Sequence, residues 1–478
     1  MSKTFLLNLL LLLTVNILIK PFYAFGIDLP IQQLTGSDYG LYFALWNFTA
    51  LFQIFADLGL QQYNNKEVAA QGDFFFQNIK KMLSIKLALS FLMCASTIIA
   101  AIIVGYTGGD IVLLMHLLLS QLCISLTLFL RTNISGLGYF KLDSLLSSLD
   151  KFLLLIFGAI LLYSGLFSSI TIHDFVYMQN LAYGITAIFT LLLVFYFYKK
   201  GVRSLVEKKA LSLSLILKQS WVFAATVLLM MIYNRVDVIL LERLLPQDIG
   251  RAQAEIYAFV YRFYDMFTMV GFLFASLLLP MYAKMQNDKK ALQDLAYLGS
   301  SLLTIFNIGI MCIMLLFKED IAYNANQLPA FILLLSLPMG GLIQIWGTLI
   351  TALNRLRKAL WLFAAAILLN VLLNLYFIPT IGVAGVAFTA LITQSMVGLV
   401  EWIWGLSIIE AKVNIKTIIQ WLVFLCFTSI LYCSKEYYIQ EDKLFLNIII
   451  FGLLYTAITL ITGVFAPKKL LVLLKQKI

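Results

Sequence analysis

The chain has 478 residues, of which 62% are hydrophobic and only 12% charged, with a net charge of +10. Soluble domains carry about 45–50% apolar and about 25% charged residues, so a water-soluble globular protein is excluded. Cys94, Cys123, Cys312, Cys426 and Cys433 all fall in apolar runs without a C-x-x-C pair, and His116 and His173 stand far apart; no disulfide framework, metal centre, cofactor site or histidine-activated nucleophile is expected.

Read in chain order, the sequence is a series of apolar runs, each long enough to cross a hydrocarbon core about 30 Å thick. The first, residues 5–26, resembles a signal peptide in having Lys3 ahead of a leucine run. It reaches Lys20 and Pro21 without a small-residue cleavage site, and so reads as an uncleaved span. Further spans are expected near 39–62, 82–105, 111–130, 144–165, 174–198, 216–240, 256–280, 297–317, 328–352, 359–378, 382–408, 417–433 and 445–466. The fold class is therefore an all-α polytopic membrane protein of about 14 transmembrane helices. The longest connection, KKGVRSLVEKKALSLS at 199–214, is basic and reads as a linker between two six-span halves. The expected organisation is a first lobe at 1–205, a second at 206–411, and two added helices with an amphipathic surface tail at 412–478. In the tenth span Pro338 is followed by Gly340 and Gly341, which fits either a gating hinge or a packing kink.

Lysine and arginine orient the spans, because basic residues are retained on the cytoplasmic side. With the N-terminus in the cytoplasm, 24 of the 34 basic residues fall in cytoplasmic segments and 5 in outer loops. The remaining five are Lys20, Lys86, Lys151, Arg235 and Arg262, within or at the edges of spans. This bias places both termini in the cytoplasm. It also accounts for the positive charge without nucleic acid as a partner.

The two halves echo each other. GLYFALWNF at 40–48 aligns with EIYAFVYRF at 255–263, bringing Tyr42 onto Tyr257, Trp46 onto Tyr261 and Asn47 onto Arg262. The same offset of 215 brings Lys20 onto Arg235. Two intramembrane cations at one offset describe a parallel repeat, a layout that transporters use with the substrate path between the repeats. The tyrosines and Trp46 lie where an interfacial aromatic belt is usual, and that reading is preferred over sugar binding.

Five stretches carry a family likeness: LTGSDYGLYFALWNFTALFQIFADLGLQQY, YNRVDVILLERLL, IYAFVYRFYDMF, LLLPMYAKM and LNLYFIPTIGVAGVAFTALITQ. In order and spacing they resemble the polysaccharide flippases (O-antigen and lipid-linked oligosaccharide) of the multidrug/oligosaccharidyl-lipid/polysaccharide exporter superfamily. The resemblance implies two six-helix lobes in a V shape, often with two C-terminal helices. It also implies alternating access, with ion coupling in some members, and an undecaprenyl-pyrophosphate-linked oligosaccharide as substrate.

The charges within the spans are the candidate site. A charge at the bilayer centre costs about 2.5–3.5 kcal/mol on insertion scales, so one that persists faces water, a counter-charge or a charged substrate. Lys20 lies about 22 Å along the first span. With Arg235, Arg262 and the neutral Asn47 it forms a layer suited to a passing pyrophosphate, arginine offering a planar fork and lysine a point charge. Structural ion pairing is the competing role. Arg262 and Asp265 are three apart on one helix face, whereas Arg235 and Asp237 are two apart and point in different directions, so at least one needs another partner. Asp57, Asp150, Lys151 and Glu401, with Asp237 and Asp265, are candidates for inner-layer charges or for coupling to H+ or Na+; snorkelling at a helix end competes for the first four.

Three other functions fit less well. A multidrug or cation exporter favours carboxylates in its site over lysine and arginine. A lipid II flippase shares the cationic chemistry. A polysaccharide polymerase, an enzyme, needs a folded loop that no connection here is long enough to supply. The partners expected are lipid-linked oligosaccharide and membrane lipids. The charge count predicts that, on a cysteine-free background, cysteines placed at 251 and 435 react with an impermeant reagent added to intact cells, and one at 205 does not. Labelling at 205, or protection at both 251 and 435, reverses the orientation.

Overall fold

The computed structural model describes residues 19, 21–70, 72–200, 213–353, 355–411, 415–437, 439 and 443–464. Lys20, most of the first span, linker residues 201–212 and the tail from 465 onward lie outside the described residues. Among the described residues the chain is helical, without strands. Twelve helices among the described residues are long and apolar enough to cross a membrane, and they match the expected third to fourteenth spans. Phe91, Ile103, Trp361 and Phe445 are largely exposed, the surface a multi-pass membrane protein presents to lipid.

The chain divides into two compact units, Met1–Glu255 and Ile256–Ile478. The first contains α1 (Leu29–Thr35), entered through a π-helical turn at Ala24–Asp28, then α2 (Ser37–Leu51) and α3 (Leu60–Ala70). Next come α4 (Gly72–Val104), α5 (Gly109–Gly136), α6 (Phe140–Tyr163), α7 (Ile172–Lys200) and α8 (Leu213–Leu244). It ends within α9 (Gln247–Lys284), which continues as the first helix of the second unit. The second unit adds α10 (Lys289–Leu316), a 3-10 stretch Ala325–Ser336 running into α11 (Leu337–Ala352), α12 (Leu356–Ile381) and α13 (Val383–Ile408). The last helices are α14 (Ile415–Cys433) and α15 (Leu444–Ile461).

The expected second span, 39–62, is not one helix. The α-helical ladder of α2 stops at Leu51 and the chain tightens into a 3-10 turn over Phe52–Ala56. It then reverses at Leu58 and Gly59, both with positive φ. Asp57 accounts for the break: its carboxylate accepts from the amides of Gly59 (3.2 Å) and Gln61 (3.0 Å), and so caps α3. The Ala56 carbonyl freed by the break accepts from the Lys86 ammonium at 2.7 Å, and Lys86 also donates to the Ser125 hydroxyl at 2.5 Å.

Helix bounds recur at the repeat offset. Shifted by 215, α4 becomes 287–319 and falls on α10, and α5 becomes 324–351 and falls on the 3-10/α11 pair. Likewise α6 becomes 355–378, on α12, and α7 becomes 387–415, on α13. The polar contacts echo too. Gln179 of α7 donates to the Tyr42 hydroxyl at 2.8 Å, while Gln394, its counterpart in α13, accepts from Tyr264 at 2.7 Å. The turn between α12 and α13 is Gly382 alone, at φ +56°, a conformation a Cβ would strain.

The break in the tenth span is closely packed. Gly341 leaves room for Asn307 of α10, whose amide donates to the Leu337 carbonyl at 2.9 Å; a Cβ at 341 would come within 2.6 Å of that amide. Helices α14 and α15, which have no counterpart in the repeat, pack on α10 through Phe424, Phe451 and Tyr455. The Tyr455 hydroxyl donates to the Ile305 carbonyl at 2.6 Å, with Gly309 beneath its ring.

The first unit holds α8 and the start of α9 through polar ties. Gln32, fully buried, donates to Glu255, both to its backbone carbonyl (2.8 Å) and to its carboxylate (2.6 Å). Arg251 pairs with Asp110 at 2.6 Å, so the exposed Asp248 is the better label position at this end. Gly40 lies directly on the Arg251 carbonyl, where a Cβ would come to 1.9 Å against backbone that cannot swing away. Gly40→Ala is expected to cost about 1–3 kcal/mol through overpacking and to lower Tm in detergent. Gly184→Ala, at a helical position with nothing within 4 Å, should leave Tm unchanged or higher. Equal Tm for the two variants would show that the helices at Gly40 yield freely.

Candidate functional site

Two groups of polar side chains in the first unit bring together residues singled out in the sequence. In the first, Asn47 of α2 donates its amide to the Phe43 carbonyl at 2.8 Å, which fixes the amide and turns its oxygen outward from α2. Arg235 of α8 donates to that oxygen at 2.8 Å. Asp237, two residues on, is buried on another face of α8. Among the described residues no carboxylate lies within 4 Å of the Arg235 guanidinium. A neutral amide orients the cation without cancelling its charge.

In the second group, Lys151 stands near the middle of α6, about 17 Å from either end of that helix. Its ammonium lies 3.5 Å from the Asp150 carboxylate and 3.4 Å from the Tyr183 hydroxyl of α7, and 5.3 Å from the centre of the Tyr183 ring. Tyr183 stacks on Trp46 of α2 at 6.4 Å, and Trp46 meets Tyr42 at 6.1 Å. Tyr42 continues to Tyr39 at 5.2 Å, whose hydroxyl donates to Asp28 at 2.9 Å.

The aromatic-belt expectation is corrected for two residues. Tyr42 and Tyr257 are buried inside their units. Each is one helical turn from an aromatic partner, and the Tyr257–Tyr261 pair (5.7 Å, 37°) repeats the geometry of Tyr42–Trp46 (6.1 Å, 34°). Composition and distance along the span cannot tell a ring facing lipid from one facing a neighbouring helix, because both lie at the same depth.

In the second unit α9 buries Arg262 and exposes Asp265, so the two side chains of this i, i+3 pair have opposite environments. Glu401 of α13 is 2% exposed, packed against Gly347 of α11. One of its carboxylate oxygens has no hydrogen-bond partner, and no cation lies within 4 Å among the described residues. The basic residues of the neighbouring α12, Arg357 and Lys358, are exposed at its first turn. Asp57, as the cap of α3, has a local role that the run ADLGLQQ signals: aspartate followed two residues on by glycine is turn chemistry.

Sequence reasoning missed two centres. Lys86, fully buried in α4, was counted only as a cation within a span; that it faces the break in the preceding span depends on packing. Glu242, near the C-terminus of α8 and 2% exposed, accepts from the Tyr106 hydroxyl at 2.9 Å and pairs with Arg243 at 2.9 Å. The Arg243 guanidinium lies 3.3 Å from the Tyr106 ring centre. Burial, and then the adjacent carboxylate, hold the Tyr106 phenol above its ordinary pKa, so it remains a donor.

Apolar helices in two repeats, with cations and amides set among them, define a multi-pass helical membrane fold. The family model described as polysaccharide biosynthesis protein matches residues 5–286, and the chain belongs to that family. No curated protein matches it by sequence. Among solved structures it is similar to the lipid II flippase MurJ in an inward closed conformation, at 17% identity and TM-score 0.69, covering 97% of this chain and 98% of that one. It is also similar to an inward-facing multidrug resistance MATE family transporter of the MOP superfamily, at 16% identity and TM-score 0.63, covering 84% and 98%. A MOP superfamily transporter from Pyrococcus furiosus matches at 14% identity and TM-score 0.59, covering 84% and 94%. Identities this low establish a shared fold.

Burying a lone carboxylate is costly unless it takes up a proton or a cation. Glu401→Gln keeps the shape and removes the charge, so Tm in detergent at neutral pH is expected to stay level or rise. A fall of several degrees would reveal a partner that needs the carboxylate.

Proposed function

We propose that the protein is a flippase of the cytoplasmic (inner) membrane. It moves undecaprenyl-pyrophosphate-linked oligosaccharide repeat units outward by alternating access, for polysaccharide biosynthesis such as O-antigen assembly. The lobes we assign to this cycle are residues 1–205 and 206–411, with 412–478 added, and both termini in the cytoplasm.

Arg235 carries the reading. It is a guanidinium on a membrane-spanning helix whose side-chain hydrogen bond, among the described residues, goes to a neutral amide, which leaves its charge available to a doubly negative pyrophosphate. Arg262 supplies further positive charge along the helices, and in this reading Lys20 does the same. Family membership supports a role in polysaccharide biosynthesis, and the MurJ-like fold is compatible with a lipid-linked substrate. Glu401 is the group we assign to coupling with H+ or Na+. It is also the observation that favours a second reading, an exporter of cationic molecules, in which Arg235 would have no substrate to meet.

The test is export of polysaccharide in cells whose own copy of the gene is deleted, complemented by variants that insert normally. Arg235→Ala and Arg262→Ala are each expected to slow export about 10- to 100-fold, the equivalent of about 1.5–3 kcal/mol for a charge-assisted hydrogen bond. Arg235→Lys should retain more activity than Arg235→Gln, because charge is the requirement. Full export by Arg235→Gln rejects the pyrophosphate role and favours the cation exporter.

A further inference from the structure

We propose that the face of the first unit carrying Trp46 and Lys151 is a glycan subsite, taking the saccharide part of the lipid-linked substrate; this rests on the flippase reading. A sugar ring lies on the Trp46 face, and its oxygens accept from the Lys151 ammonium.

Four observations lead to it. First, Trp46 and Lys151 are only partly buried, while Tyr42, Tyr183 and Gln179 behind them are buried. A lysine at mid-helix with 27% of its side chain exposed must meet water or a polar ligand, since lipid would penalise it. Second, the chemistry is that of carbohydrate recognition: an apolar aromatic face, with hydrogen-bonding groups at its edge to fix orientation. Trp46 and Tyr183 are near parallel, at 28° and 6.4 Å, so Tyr183 braces the platform while its hydroxyl holds Lys151 at 3.4 Å. Third, Gln179 donates its amide to Tyr42, but its carbonyl oxygen is buried without a hydrogen-bond partner. That acceptor belongs to the same cluster, behind the Trp46 face.

Fourth, the internal repeat separates scaffold from site. At the offset of 215, Tyr42, Trp46 and Gln179 have the counterparts Tyr257, Tyr261 and Gln394. Asp150, Lys151 and Tyr183 instead correspond to Ala365, Ala366 and Gly398. The ring pair and the glutamine therefore recur in both units, as a fold requirement would. The carboxylate, the ammonium and the bracing phenol occur only in the first, as a ligand site in one unit would.

The test compares two probes on the purified full-length protein in lipid nanodiscs: undecaprenyl pyrophosphate, and the lipid-linked saccharides extracted from the cells that make them. Wild type is expected to bind the saccharide-bearing lipid about tenfold tighter, about 1.4 kcal/mol. Trp46→Ala and Lys151→Gln should each bring that affinity down to the level of undecaprenyl pyrophosphate, whose own binding changes less than about twofold. Trp46→Phe, which keeps a smaller aromatic face, should retain most of the advantage, and it serves as the readout if Trp46→Ala does not fold. Equal weakening of both probes, or a saccharide advantage that survives both substitutions, overturns the subsite. So does wild type binding both lipids equally. Failure of wild type to bind either lipid overturns the flippase reading itself.

Discussion

A charge in hydrocarbon has no water to dissolve it, and the polar architecture of both units answers to that constraint. Several buried polar groups meet partners supplied by another helix, and those meetings fix where helices break and which ones adhere. Lys86 illustrates the coupling. Fully buried in α4, it is solvated by the Ala56 carbonyl and the Ser125 hydroxyl. That carbonyl is available because the preceding helix gives way to a 3-10 turn. The broken span and the buried lysine satisfy each other, and neither would be stable alone.

The same constraint sorts the remaining charges by what they leave unsatisfied. In Asp110 with Arg251 and in Glu242 with Arg243 and Tyr106, opposite charges meet directly. They hold α8 and the start of α9 to the first unit. Arg235 is held by a neutral amide, and Glu401 has an oxygen with no partner. These two retain electrostatic capacity, of opposite sign, and sit in different units. A structural ion pair spends its charge on its partner, whereas a transport or coupling group must keep some in reserve.

The two repeats share a scaffold and differ in chemistry. Ring pairs at 42/46 and 257/261 recur with similar geometry, and glutamines at 179 and 394 each bond a tyrosine of the corresponding helix, though with donor and acceptor reversed. Where the first unit has Asp150, Lys151 and Tyr183, the second has alanines and a glycine. There Gly398 takes its helix close to the backbone of Met339. Small residues buy close helix contact in one unit, and larger polar ones keep a functional face in the other.

The sequence by itself determined the membrane class, the helical spans from the third onward, the 215-residue repeat and the identity of most intramembrane charges. Each is written in local composition or fixed spacing, which hydropathy reads directly. It also supplied Arg235 and Asn47 as members of one layer, because depth along a span follows from counting residues. Tertiary structure alone decided which of those residues touch. It turned Tyr42 and Tyr257 from the lipid to the interior, gave Lys86 and Glu242 their partners and joined Lys151 to Trp46 through Tyr183. Depth is a one-dimensional quantity that a sequence carries. The direction of a side chain around its helix, and the helix it meets there, depend on how neighbouring helices are rotated and packed, which no single span encodes.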